Sequence, residues 1–468
     1  MDDFRRHAHQ VADWIADYLE HPDRYPVLPR VKPGDIRRSL PPSAPEHGES
    51  FDDIFADFER VIVPGLTQWN HPGFFAYFAI STSAPGVLAE FLSAALNQQA
   101  MLWRTSPAAT ELEDVALAWL RRLMGLPDSF EGVIYDTASI STLHALAAAR
   151  EAGVPGVRDS GLASRADVQR VRVYCGEHAH SSVDKAVILL GLGHGGLRRI
   201  PADDEFRMRP DLLASAIVED RAAGWLPIAV VATVGSTSTT SVDPVPAIAD
   251  ICARERLWLH VDAAYGGVAA MVPGCEWILN GAERADSLVT NPHKWLFTPF
   301  DLSVLYCRRM DVLRQAFSLT PEYLKTREGD EGVKNLMDTG IQLGRRFRAL
   351  KLWMILRHFG ADGLRRHLAE HMRLARRFAE WVDASDRFER VAPVPFSVVC
   401  FRLRPRSNGD ADDDAHARLL DEVNASGEVF LSHTKLNGRF VLRLAIGNIN
   451  TTEEHVARAW ELLNQAST

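Results

Sequence analysis

Cysteine is scarce in this chain. The 468 residues hold five (Cys175, Cys252, Cys275, Cys307 and Cys400), odd in number, scattered and without a CxxC pair. That pattern gives neither a disulfide framework nor a zinc site, and it suits a reducing cytoplasm. Long apolar runs are also missing; none approaches the ~18 residues of a membrane span. Positive charge is in deficit, with 52 Lys and Arg against 61 Asp and Glu, a formal net charge of −9. A nucleic acid or an anionic membrane is therefore not an expected partner. Internal repeats and low-complexity tracts are absent. The opening segment MDDFRRHAHQVADWIADYLE is amphipathic and reads as neither signal nor transit peptide.

What is present is a globular composition, 46% hydrophobic and 24% charged, at a length of about three domain-sized units. Residues 1–83 read as a helical segment. Val11, Trp14, Ile15, Tyr18 and Leu19 form one apolar stripe, and Phe51, Ile54, Phe55 and Phe58 a second after a Ser50 cap. Between them Pro22, Pro26, Pro29 and Pro33 allow no helix interior. The stripes must bury against the same chain or against a second subunit.

Residues 84–352 alternate strand and helix. Strands are expected at 133–135, 171–175, 228–233 and 257–261, with helices over 139–150 and 181–190 and one opened by Asp243-Pro244. Near-continuous apolar strands between helices predict an α/β fold with a mainly parallel sheet sandwiched by helices. Ligands of such sheets sit beyond the carboxyl ends of the strands. Residues 318–335 read as a mobile polar loop, and 353–468 as a smaller C-terminal α/β domain. Gly191-Leu-Gly193-His-Gly195-Gly196 satisfies GxGxxG, but a strand-like stretch follows it. It is expected to be a helix-ending turn, not a nucleotide loop.

Two residues stand out chemically. Lys294, in Asn291-Pro292-His293-Lys294-Trp295, is a lysine among proline and aromatics. Desolvation of such an amine favours the nucleophilic neutral form, which can condense with a carbonyl. Asp262 ends the apolar run Trp258–Val261, as a strand delivering a carboxylate would. A Schiff-base lysine together with a carboxylate for a pyridinium nitrogen is what pyridoxal 5'-phosphate (PLP) requires. His178 and His180 have no thiol or carboxylate cluster beside them, so no metal site is expected.

HVDAAYGG (260–267), NPHKW (291–295) and AHSSVDKA (179–186) resemble the aromatic-L-amino-acid decarboxylases, group II PLP enzymes of fold type I. HPGFFAYF, TSPAATELE, LGRRFRALKLW and FVLRLAI extend the resemblance nearly end to end. It implies a PLP-dependent carboxy-lyase that converts an aromatic L-amino acid to its amine. It also implies a homodimer with shared active sites, dimerised through residues 1–83. Lys294 would form the Schiff base, Asp262 would pair with the ring nitrogen, and Ala264 and His180 would lie against the ring. Thr137, Ala138 and Ser139 would offer donors to the phosphate at a helix start, and Thr233, Asn291 and His293 would complete the cofactor contacts. Tyr323, in the mobile loop, would return the proton after decarboxylation.

The substrate pocket would involve Trp69, Tyr77, Phe78, Ile80, Gln99, Met101 and Gly344. Here the chain departs from animal relatives. Gln99 and Met101 stand where those carry Ile and Phe, Ala79-Ile80 replaces Pro-Thr, and Pro299 replaces Asn. Gly344 leaves room for an indole. The alternatives are an oxidative sibling giving aldehyde, ammonia and peroxide, and a decarboxylase of a non-aromatic amino acid. Tyrosine at 323 and histidine at 180 favour the amine.

Overall fold

The computed structural model describes residues 2–163, 165–168, 170–319, 333–405 and 413–466. Tyr323 and most of the loop around it lie outside these. By contacts the chain forms two compact units. The smaller holds residues 1–79, 377–390 and 401–468, and the larger 80–376 and 391–400, so the N-terminal segment clusters with most of the C-terminal part.

In the smaller unit a helix runs over Asp2–Glu20 and another over Phe51–Asp57. Their aromatic stripes pack on each other. Trp14 meets Phe58 edge-on at 5.1 Å, and His7 lies 4.6 Å from Phe51. Packing within the chain thus occupies the inner faces, while Phe4 (75% exposed) and Ile54 (51%) still face outward. Strand β1 (Phe74–Phe75) follows.

The larger unit is built on β2 (Glu131–Tyr135), β3 (Arg170–Gly176), β4 (Leu197–Ile200), β5 (Trp225–Thr233), β6 (Trp258–Asp262), β7 (Ser287–Thr290) and β8 (Ser303–Cys307). Their order is β2-β8-β7-β6-β5-β3-β4. Neighbours pair in parallel except at β8, which runs against both β7 and β2. The mainly parallel sheet read from the sequence is therefore present. β5 and β6 are buried along almost their whole length because helices cover both faces; Val230, Val231 and Val261 have no exposed surface. Each such valine contributes roughly 1.5–3 kcal/mol by leaving water.

The sequence reading needs correction at Asp243. It does not cap the following helix, which starts at Val245 with Pro244 at the cap position. Its buried carboxylate instead accepts from the backbone N–H of Met208 (2.7 Å) and Thr233 (2.8 Å). Its two oxygens thus each satisfy a buried amide that would otherwise lack this partner. The glycine run behaves as read: Gly191 turns at φ +77° after the helix Ser182–Leu189, and β4 follows.

The remaining strands are β9 (Phe388–Arg390), β10 (Val398–Leu403), β11 (Phe430–Leu436) and β12 (Arg439–Ala445), in a sheet ordered β1-β11-β12-β10-β9. A helix over Ala349–Asp383 leads into them, broken at Gly360, whose φ of +62° departs from helical geometry.

Candidate active site

Six strands of the larger unit, β2 to β7, point their carboxyl ends to the same edge of the sheet. Thr233 ends β5 and Asp262 ends β6, and the two are register partners. Thr290 ends β7, and the short helix Pro292–Trp295 that carries Lys294 begins two residues later. Beyond β2 the helix Ala138–Gly153 opens behind Thr137, and beyond β3 comes His180. The residues singled out in the larger unit's chemistry are thus gathered by topology at one edge.

Asp262 is 6% exposed, and its Oδ1 accepts from the Ala264 backbone N–H at 3.1 Å, which fixes the carboxylate's direction. Lys294 is half-buried between the buried His293 and Trp295, and its backbone N–H bonds the Asn291 carbonyl. His180 feels both charges. Burial pulls its pKa below the usual histidine value, the Asp262 carboxylate pushes it up and the Lys294 ammonium pushes it down. Its Nδ1 lies 2.9 Å from Ser182 Oγ and accepts from the Ser182 backbone N–H at 3.1 Å. A backbone N–H can only donate, so the neutral ring carries its proton on Nε2. Ser182 was not singled out in the sequence. A serine two residues after a histidine, at a helix start, is the signal that could have found it.

His293 is buried, its Nδ1 accepting from the Leu302 N–H at 2.9 Å. Burial lowers its pKa to about 3, with Lys294 acting in the same direction. Two residues before Asp262 on β6, His260 is fully buried between Ser287 Oγ (2.9 Å) and Thr142 Oγ1 (3.5 Å), and burial holds its pKa near 4. Around His260 and His293 this edge is dry and the imidazoles are kept neutral, while Lys294 is half-buried and His180 reaches the surface.

Several polar atoms at the edge are buried without a protein partner: Thr233 Oγ1, Thr290 Oγ1 and Asn291 Oδ1. A buried polar group without a partner costs about 1–3 kcal/mol, so three together point to a polar ligand that satisfies them. The helix start at Thr137–Ser139 adds backbone N–H groups with the positive end of a dipole. One of them is already taken: Asp136 Oδ1 accepts from the Thr137 N–H at 2.5 Å and from its hydroxyl at 3.1 Å. That leaves Ala138 and Ser139 as the better placed phosphate donors. Ala264 is buried behind Asp262. The residues present fit a phosphorylated aromatic aldehyde with a basic ring nitrogen.

The expected pocket residues divide between the units. In the larger, Gln99 and Gly344 line one cavity of about 390 Å³ with Tyr135 and Asp136. Gln99 Oε1 accepts from the Arg345 N–H at 2.6 Å, and a Cβ at Gly344 would stand 3.1 Å from Gln99 Nε2. Arg345 is buried in an ion pair with Glu113 (2.8 Å) and also bonds the Ile134 carbonyl, so the turn at Gly344 is firmly held. Met101 packs against Leu102 and Met337 and is not on that lining; Ile80 is half-buried. In the smaller unit Trp69 stacks on Phe74 (4.3 Å) and Tyr77 (6.0 Å), while the Arg443 guanidinium covers Phe78 at 4.8 Å.

The profile of the pyridoxal-dependent decarboxylase conserved domain matches residues 33–404. An aromatic-L-amino-acid decarboxylase of Catharanthus roseus is 38% identical over 473 residues, covering 99% of this chain and 93% of the relative. A phenylacetaldehyde synthase of Arabidopsis thaliana is 40% identical, covering 99% and 96%. Among solved structures, Oryza sativa TDC with PLP and tryptamine superposes with a TM-score of 0.95 at 39% identity, covering 99% of this chain and 97% of that one.

Proposed function

The chain belongs to the pyridoxal-dependent decarboxylases, and we propose that Lys294, Asp262 and His180 carry its removal of carbon dioxide from an aromatic L-amino acid to give the amine. It is a carboxy-lyase, and its cofactor is pyridoxal 5'-phosphate. The observation that carries the assignment is the meeting of the three groups at one edge of the sheet beside buried polar atoms without protein partners.

Lys294 would tether the cofactor's aldehyde carbon and give it up to the substrate amine. Asp262, held by the Ala264 N–H, would keep the ring nitrogen protonated. Ala138 and Ser139 would hold the phosphate, with Thr233, Asn291 and His293 as further contacts. The bound cofactor supplies an electron sink for the pair left when the carboxylate leaves. His180, neutral with its proton on Nε2, would lie against the ring and move a proton at that nitrogen. Tyr323 would return the proton to the substrate carbon. That role rests on the sequence and on the family. Replacing Tyr323 by Phe should shift the product from the amine to the aldehyde and ammonia, with oxygen uptake and peroxide, while carbon dioxide release continues. Unchanged amine yield without peroxide would move the proton donor to His180 or a water. The phenylacetaldehyde synthase relative makes the oxidative outcome the second reading for the wild type, and the same peroxide assay separates the two.

Carbon dioxide release across Trp, 5-hydroxy-Trp, Tyr, dihydroxy-Phe, Phe, His and Glu tests the substrate class. Turnover should be confined to the aromatic members, selected over the Gln99 and Gly344 cavity with Ile80, Met101, Trp69, Tyr77 and Phe78 as further pocket residues. Release from His or Glu alone would overturn the aromatic reading.

A homodimer with shared active sites belongs to the same proposal. Leu88, Phe91, Leu92 and Leu96 repeat along one face of the helix Ala84–Leu96 and are 42–57% exposed. Such a stripe is a cost in water unless a partner covers it. Light scattering should give twice the chain mass, and Leu92→Asp should halve it. The five free cysteines support a reducing, cytoplasmic location, and no helix among the described residues is long and apolar enough to cross a membrane.

A further inference from the structure

The edge of the sheet opposite Asp262 and Lys294 holds a cavity of about 560 Å³ that decarboxylation does not use. It lies where the helices Ala138–Gly153, Pro210–Ala222 and Val245–Glu255 end and where β5 and β6 begin. Its lining is mixed, with an apolar part to which Ala152 and Ala253, both exposed, and the half-buried Leu226 contribute. Its rim carries five guanidiniums, from Arg221, Arg256, Arg284, Arg308 and Arg309.

Three of these have evident structural work. Arg221 bonds the Glu255 carbonyl at 3.1 Å and forms an ion pair with its carboxylate at 3.6 Å. Arg284 pairs with Asp250 at 2.7 Å. Arg308 bonds the Arg284 carbonyl at 2.9 Å and lies 3.9 Å from Asp286. Cations at helix carboxyl ends are ordinary stabilisers. Arg256 and Arg309 are different. Arg309 lies over the Trp258 ring at 5.3 Å and makes no side-chain ion pair among the described residues. The exposed Arg256 side chain has neither a hydrogen bond nor an ion pair among them. Moreover, Arg256 sits at φ +58°, ψ 45°, the left-handed position after a helix where glycine or asparagine is at ease. Its backbone closes the helix, the Arg256 and Leu257 N–H groups both bonding the Cys252 carbonyl, but a glycine could do that, and the guanidinium itself is left without a partner among the described residues.

We propose that this cavity binds an organic phosphate monoester, its phosphate between Arg256 and Arg309 and its carbon body on the apolar part of the lining. The chemistry selects that class. Setting the carboxylates of Glu255, Asp286 and Asp250 against the five guanidiniums leaves two positive charges, and a phosphate monoester carries about −1.5 to −2 at neutral pH. Guanidinium forks suit phosphate oxygens. The volume lies within the ~300–1,000 Å³ of small-molecule sites.

The test is calorimetry on the holoenzyme with phenyl phosphate as the probe, against phenol, benzoate and inorganic phosphate. Phenyl phosphate should bind once per chain, weakening as salt is added, and inorganic phosphate should bind at least about tenfold more weakly for want of the apolar body. Arg256→Gly with Arg309→Ala should weaken phenyl phosphate binding at least about tenfold and leave carbon dioxide release and the cofactor's visible band unchanged. Arg256→Gly alone should keep or raise the melting temperature, because glycine relaxes the left-handed turn. No binding at millimolar probe, equal binding of phenol or benzoate, or wild-type affinity in the double variant would overturn the proposal.

Discussion

The two edges of the seven-stranded sheet are made by the same strands and are opposite in chemistry. At the carboxyl edge Asp262, His260, His293 and Asn291 are buried, the buried histidines neutral and several oxygens without partners, with Lys294 and His180 reaching toward solvent. At the amino edge the charges are exposed, and most are paired with carboxylates or carbonyls. The difference teaches what burial does to function. A dry edge pays for polar groups with stability and gains sharply defined protonation states, whereas a wet edge can collect charge cheaply and define little. Substitutions at the first should change reactivity, and those at the second only charge and affinity.

The most severe way to break the comparison is Lys294→Ala. Removal of the nucleophile should lower activity on the order of 10³-fold or more and abolish the borohydride-reducible visible band, with the dimer mass and folded spectrum kept. Wild-type turnover would show that the buried edge is not the reacting one. Asp262→Asn comes next: a neutral amide lacks the charge that holds a proton on the ring nitrogen, and a loss of roughly 10²–10³ in kcat is expected with partial cofactor retention. Absorbance titration beside steady-state kinetics reads both.

Acid should separate the edges without any mutation. His144, His260 and His293 are held near pKa 3, 4 and 3 by burial, against an ordinary value of 6.5. The unfolded chain therefore takes up protons first as pH falls, and stability is lost from about 6.5 down to the folded values. Each such histidine contributes roughly 1.4 kcal/mol per pH unit in that window. Asp243, raised to about 6 by burial, works the other way: protonated earlier in the fold, it adds stability between about 6 and 3.8. The histidines outnumber it, so urea midpoints should fall as pH drops below 6.5. A flat profile would mean that these imidazoles are not buried in solution. The mildest test is Ser182→Ala. The backbone N–H still directs the His180 tautomer, so about a tenfold loss in kcat with a shifted pH profile and an unchanged melting temperature is expected. An unmoved profile would assign Ser182 to packing alone.

Much of this was legible in the residues. Apolar runs ending in Thr233 and Asp262 announced strands and also the edge on which they deliver, because parallel sheets are buried on both faces and strand ends are where polarity can return. Lys294 was legible for the same reason: a cation among proline and aromatics needs an explanation. Asp243 was not, since Asp-Pro before a helix has the signature of a cap, and only tertiary contact shows the amides of Met208 and Thr233 each bonded to one of its oxygens. Ser182 and Asp136 were passed over because each is ordinary for its position; their importance lies in the neighbour they hold. Arg256 was silent, as no sequence pattern announces a positive φ at an arginine. The aromatic stripes of residues 1–58 were legible as stripes, but which surface they cover is a property of the assembled unit.

The pairing of Thr233 with Asp262 carries a consequence for how this protein can change over generations. Side chains alternate faces along a strand, so removing one residue from Trp258–Val261 would turn the carboxylate to the far side of the sheet. Insertions and deletions are therefore tolerated in the turns and lethal within β5 and β6. New substrates would have to be reached through point changes around Gln99 and Gly344, while the lengths of those two strands stay fixed like the spacing of marks on a ruler.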